Sequence, residues 1–130
     1  MAERYSSFNP GGTLWLLQRV TAAFLVAVLA FHFFLLHFVH HAYEVTFLGS
    51  QARMSSILYF SLMVLFLVTA TFHGVNGIYN ALINQGLTGT KRTVVKWTLV
   101  IASAVLIGNG LLTAIAWTDL IDIGIRGIFG

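Results

Sequence analysis

From Trp97 to Trp117 the chain carries no charged side chain. Two more apolar runs precede it. One extends from Val20 to Val39 and is interrupted only by Thr21, His32 and His37; the other begins near Ile57, stays apolar to Phe72 and continues through His73 towards Leu82. A helix needs roughly 20 residues to cross the hydrocarbon core of a bilayer, whereas a buried helix of a soluble core is satisfied by 10–14. With their flanking turns, all three runs reach the longer figure. The runs are continuous rather than alternating, and three strands cannot close a barrel, so helices are the only spanning structure they permit. Composition agrees: 58% of the residues are hydrophobic and 8% charged, against about a quarter charged in a soluble domain. The expected fold is all-α and integral to the membrane, one domain over 1–130 with spans at about 14–42, 54–84 and 94–118.

Helix breakers fall between the runs. Asn9-Pro10-Gly11-Gly12 reads as an irregular leader, with Thr13 as the N-cap of the helix that follows. Gly49-Ser50 reads as a short turn, and Gly86-Leu87-Thr88-Gly89-Thr90 as the next. The first run is too long for a cleaved signal peptide, and its lead contains Glu3, Asn9, Pro10 and two glycines. Lysines and arginines split five to two between the ends of the spans. Arg4, Arg19, Lys91, Arg92 and Lys96 fall on one side, Arg53 and Arg126 on the other. The positive-inside rule then puts the N-terminus in the cytoplasm and the C-terminus outside. The basic balance therefore reflects topology. No basic face interleaved with aromatics suggests nucleic acid as a partner.

Cysteine is absent, which excludes thiolate-held iron–sulfur clusters and disulfides in this chain. Histidines are the unusual feature, because ionisable groups inside a span are costly and usually functional. His73 lies well inside the second span, within Phe72-His73-Gly74-Val75-Asn76-Gly77. Gly74 and Gly77 leave the helix surface beside it nearly bare, so that a flat macrocycle could approach the backbone. The same small residues would also let two helices pack closely around a hydrogen-bonded histidine. His32 lies about 25 Å of helix beyond Trp15, and His73 about 20 Å before the Gly86 turn. Thr21, Leu25, Val28 and Val39 share a stripe with His32. His37, His40 and His41 sit nearer the outer end and read as interfacial, although His37 and His41 have metal-ligand spacing.

Two deep histidines on different helices suggest haem ligation by neutral imidazole. Their different depths suit two irons as well as one. Polar groups that could hold anionic propionates lie nearby: Trp15, Gln18 and Arg19 at one end, Arg53 at the other, and Asn76, Asn80 and Asn84 at i+4 steps below His73. Trp15, Arg19 and Arg53 equally suit ordinary interfacial anchoring. The third span has no histidine. Ala104, Gly108, Gly110 and Ala114 read as packing positions, and Asn109 as a bond across helices.

Leu17-Gln18-Arg19-Val20-Thr21 with His32 eleven residues after Thr21, together with Phe72-His73-Gly74-Val75-Asn76-Gly77-Ile78, resembles the membrane-anchor subunits of succinate dehydrogenase and quinol:fumarate reductase. The similarity covers about residues 13–97 and suggests the smaller of two anchors. It implies that the chain is half of a two-subunit haem-binding helical bundle. His73 would ligate a haem b nearer the cytoplasmic catalytic subunits and His32 a second haem nearer the outer face, each iron completed by the sister anchor. Trp15, Gln18, Arg19, Arg53, Gly77 and Asn84 are then candidates for propionate, haem-packing or quinone contacts. Single-haem relatives tend to carry Asp-Tyr where this chain has Asn84-Gln85, and that tyrosine contacts ubiquinone. The quinone site is therefore expected to be formed mainly by other chains, or to suit a different quinone such as menaquinone.

The resemblance implies a subunit with no substrate-oxidising site of its own, set in a prokaryotic inner membrane. It would anchor flavoprotein and iron–sulfur subunits and conduct electrons to or from quinone. Two alternatives remain at this level. One is a haem-free structural anchor whose histidines bridge helices. The other is a small transporter with His32, His37 and His41 along a path, which three unbroken spans without acidic partners make the least favoured.

Overall fold

A computed structural model describes residues 10–39 and 41–118. Its helices are α1 (Pro10–Phe34), α2 (Phe47–Met54), α3 (Ile57–Asn84) and α4 (Gly89–Ala116). A π turn at Leu35–Val39 prolongs α1, and a short 3-10 turn at Ala42–Glu44 leads towards α2. Three segments are long and apolar enough to cross a membrane: 12–39, α3 and α4. α3 is the central helix, with α1 packed on one side and α4 on the other, and α2 lies against its start.

Local sequence explains the helix ends. α1 begins at Pro10 rather than after an irregular leader with Thr13 as cap. Proline's fixed φ and missing N–H suit the first helical turn, where no partner for that N–H exists. Gly49-Ser50 is not a turn but the interior of α2. Thr46 caps that helix, its Oγ1 accepting from the Gly49 N–H at 3.1 Å, and this satisfied donor outweighs the breaker signal of the glycine. The turn expected after the second span does form. Gly86 takes φ +91°, the Gly86 N–H donates to Ile83 O at 2.9 Å and the Leu87 N–H to Leu82 O at 3.1 Å. This pair of bonds closes the exposed carbonyls at the end of α3.

Burial is inverted relative to a soluble protein. Among the described residues the buried side chains are Val28 and three threonines, Thr21, Thr71 and Thr118, while Val26 and Leu112 are 68% and 70% exposed. Such a surface is stable only where hydrocarbon is the solvent. Hydroxyls within the spans are satisfied by their own helices: Thr71 donates to Leu67 O at 2.8 Å, Ser103 to Leu99 O at 2.6 Å and Thr113 to Asn109 O at 2.9 Å. Asn109 is exposed and makes no side-chain bond to another helix that the structure records.

Lipid tails are as apolar as leucine, so close packing rather than water exclusion must hold the spans together. Of the small residues on α4, Gly110 provides such a contact. A Cβ there would lie 2.6 Å from Leu67 Cδ2 on α3, whereas Gly108 faces open space. Gly110→Val should therefore destabilise the α3–α4 pair by about 1–3 kcal/mol, read as a lower denaturation midpoint of the purified assembly. Gly108→Val should shift it far less. The two ends of the bundle are also tied. Phe47 meets Trp117 at one end with ring centroids 4.8 Å apart, and the Arg92 Nε–H donates to the Tyr79 hydroxyl at 3.1 Å towards the other.

Candidate functional site

The polar residues of α1 and α3 meet at one level of the bundle. Gln18 and Thr21 are three residues apart, hence on one face of α1, and that face meets His73 and Asn76, likewise three apart on α3. Thr21 is buried; Gln18, His73 and Asn76 are half-buried. The Gln18 Oε1 accepts from Asn76 Nδ2 at 2.7 Å, and its amide nitrogen donates to the His73 carbonyl at 3.0 Å. That nitrogen also lies 3.5 Å from His73 Nε2. Thr21 Oγ1 is 3.1 Å from His73 Nδ1.

Gly77 makes this arrangement possible, since a Cβ there would come within 3.2 Å of the Gln18 amide nitrogen. In this chain the Gln18 side chain crosses α3 over Gly77, while the surface at Gly74 is open. Interhelical hydrogen bonds in membranes are worth about 0.6 kcal/mol each on average. The cluster therefore fixes the register of α1 against α3 more than it adds stability.

His32 lies at a second level. It is half-buried and lines a cavity of about 200 Å³ with Val28, Leu29, Met63 and Phe66. No hydrogen bond to its ring comes from another described residue. Thr21 and His32 are eleven residues apart on α1, and Met63 and His73 ten apart on α3. At 1.5 Å rise per residue the two levels are separated by about 15 Å. Val39 does not continue the His32 stripe: the π turn rotates it out of register, and it is exposed.

The remaining candidates are distributed towards the ends. Trp15 and Arg19 are exposed, with the Arg19 guanidinium carbon 5.1 Å from the centre of the Trp15 ring, a cation–π contact. Arg53 is half-buried in the last turn of α2 and donates to the Ser50 hydroxyl at 3.1 Å. Asn84 ends α3 and is exposed, as is Asn80. His37 stacks on Phe33 at 4.2 Å, and its Nδ1 lies 3.0 Å from the Phe33 carbonyl. His41, at φ +30°, stacks on Tyr43, so these two rings sit in separate contacts. His40 and the charges at Glu3, Arg4, Asp119, Asp122 and Arg126 lie outside the described residues.

The donor set at both levels suits an axial imidazole ligand. Each ring is half-buried; the His32 ring has apolar neighbours, and the His73 ring has Nδ1 within hydrogen-bond distance of Thr21, as ligating histidines usually have their second nitrogen engaged. Ligation at His73 Nε2 requires the Gln18 amide to swing aside, which a flexible side chain over a glycine can do. A wider groove of about 390 Å³ lies between α3 and α4, where Asn76, Tyr79, Lys96 and Ser103 interrupt an apolar lining. The sequence reading missed the Thr21–His73 contact. Its only signal was a pair of polar residues, Gln18 and Thr21, on one face of an otherwise apolar span.

A family model for the transmembrane subunit of succinate dehydrogenase/fumarate reductase matches residues 2–116 of the chain. Searches of curated proteins and of solved structures returned no match.

Proposed function

The chain belongs to the succinate dehydrogenase/fumarate reductase transmembrane subunit family, and we propose that it is the haem b-binding anchor through which such a complex exchanges electrons with quinone. The observation that carries this reading is the His73 level: an imidazole deep in an apolar helix pair, with Nδ1 held by Thr21 at 3.1 Å and Nε2 on the other side. Bound haem would supply one-electron chemistry at iron, tuned by its ligands and their hydrogen bonds. The protein's part is to hold the ligand ring, exclude water at the His32 level with Val28, Met63 and Phe66, and place donors for the anionic groups. His73 would serve a cytoplasmic-side haem and His32 an outer-side haem, each shared with the sister anchor.

Gln18, Trp15 and Arg19 would face propionates or quinone at the cytoplasmic end, and Arg53 would do so at the outer end. Gly77 would give the close approach once the Gln18 side chain swings aside, and Asn84 would stand near the quinone. The family is a membrane subunit of a larger complex. The partners proposed for this chain are the second anchor, an iron–sulfur subunit and a flavoprotein, in a prokaryotic inner membrane with the N-terminus cytoplasmic. Menaquinone fits the absence of the Asp-Tyr pair at Asn84-Gln85.

One contact favours a second reading. The Gln18 amide, 3.5 Å from Nε2, is also what a haem-free anchor would use to bridge its helices. An assembly purified through a tag on this chain separates the two. The haem reading expects flavin and iron–sulfur subunits to co-purify with b-type absorbance, reducible by succinate through the complex. Co-purification of the soluble subunits without haem would support the structural anchor instead.

A further inference from the structure

We propose that Thr21 is the positioning residue for His73: it decides which imidazole nitrogen is free and lowers the reduction potential of an iron held there. The proposal rests on the reading of His73 as a haem ligand and goes beyond it, because it assigns a role to a residue that touches neither iron nor quinone.

The tautomer follows from the hydrogen-bond network, read from both sides of the ring. Thr21 has one hydroxyl proton, and its Oγ1 lies 2.8 Å from Leu17 O and 3.1 Å from Gln18 O. The 2.8 Å contact to Leu17 O is the shorter one and is the back-bond a helical threonine makes, so the proton is assigned to the main chain. The oxygen then meets His73 Nδ1 at 3.1 Å as an acceptor, which requires Nδ1 to carry the hydrogen. On the other side, Gln18 Oε1 accepts a hydrogen bond from Asn76 Nδ2 at 2.7 Å. Its nitrogen therefore faces the His73 carbonyl, 3.0 Å away. The same nitrogen stands 3.5 Å from Nε2. A protonated Nε2 would set two donors face to face; an unprotonated one does not. Both sides leave the lone pair on Nε2.

An Nδ1–H that donates to a fixed acceptor makes the ring a stronger electron donor. A stronger donor stabilises the ferric over the ferrous state and lowers the potential. Thr21 is well suited to this. It is buried, and its hydroxyl is tied to α1 by its own back-bond, so the acceptor does not move with the ring. His32 has no corresponding hydrogen bond from a described residue. The effect of Thr21 therefore belongs to one level of the bundle, and a haem on His32 is an internal control.

The test uses the assembled complex carrying Thr21→Val, which keeps the shape and removes the acceptor, and Thr21→Ser, which keeps the acceptor. Potentiometric titration of the b-haem bands should show one midpoint raised in Thr21→Val. The shift should match about a tenfold change in the oxidised-to-reduced ratio, or about 59 mV for one electron, with the other midpoint unmoved. Haem should also wash out more readily at that site, with affinity lower by about 10–100-fold. Thr21→Ser should restore both properties.

Unchanged midpoints and haem content in Thr21→Val, or a Thr21→Ser variant shifted as far as Thr21→Val, would overturn the proposal. Should Thr21→Val not assemble, pulsed EPR of the ferric wild-type complex decides. An exchangeable Nδ1 proton with the same coupling in Thr21→Ser is the expected result, and its absence overturns the proposal. Failure of the haem assignment itself looks different: His73→Ala would then leave every haem signal intact.

Discussion

His73→Ala in the assembled complex should abolish one b-type haem signal completely while leaving the other measurable. Among the described residues the imidazole is the only strong ligand at its level, and a methyl group cannot replace it. The loss should be larger than any change at the surrounding residues, because Thr21, Gln18 and Asn76 act on the ring rather than in its place. Removal also takes one interhelical bond: the Thr21 hydroxyl loses its ring partner at 3.1 Å but keeps its bond to Leu17 O, and the Gln18 amide keeps the main-chain carbonyl of residue 73. A stability loss of about 0.6–1.7 kcal/mol, the range for an interhelical bond in a membrane, should accompany the spectral change. The control is spectral specificity. A change that merely loosened α1 from α3 would weaken both haem signals together, since the same two helices flank both histidines.

His32→Ala should give the complementary result, removing the second signal and sparing the one that depends on His73. Here the structural penalty should be small, because the His32 ring has no hydrogen bond from a described residue and faces the apolar side chains Val28, Leu29, Met63 and Phe66. Its loss leaves a larger cavity and no stranded donor. The contrast between the two substitutions is itself informative. Equal stability losses with both haem signals retained would favour histidines that only bridge helices. The roughly 15 Å between the levels means that the two substitutions should act almost additively on stability, as distant sites do.

The three spans were legible because an uncharged run of about 20 residues has few other uses. The turns were less so. Gly49-Ser50 reads as a breaker in isolation, yet Thr46 three residues before Gly49 supplies a cap that keeps it helical. The π turn at Leu35–Val39 has no sequence signal of its own, and it displaced Val39 from the stripe assigned to it by a 3.6-residue repeat. At the candidate site, His73 and His32 stood out as polar groups in apolar runs. Thr21 was placed correctly on its own helix but matched with His32, eleven residues along α1, rather than with His73 on α3. Periodicity reports which residues share a face. It does not report where two helices cross, and the Thr21–His73 pair forms at such a crossing, beside the place where Gln18 lies over Gly77. Asn109 failed for a related reason: its spacing allowed a bond across helices, but α4 turns it outward.

The most direct measurement of the central claim is the reduced-minus-oxidised spectrum of the purified wild-type assembly, combined with a haem-to-protein ratio. The account predicts b-type absorbance at two haems per copy of this chain. An assembly complete in its subunits with no b-type absorbance would contradict it.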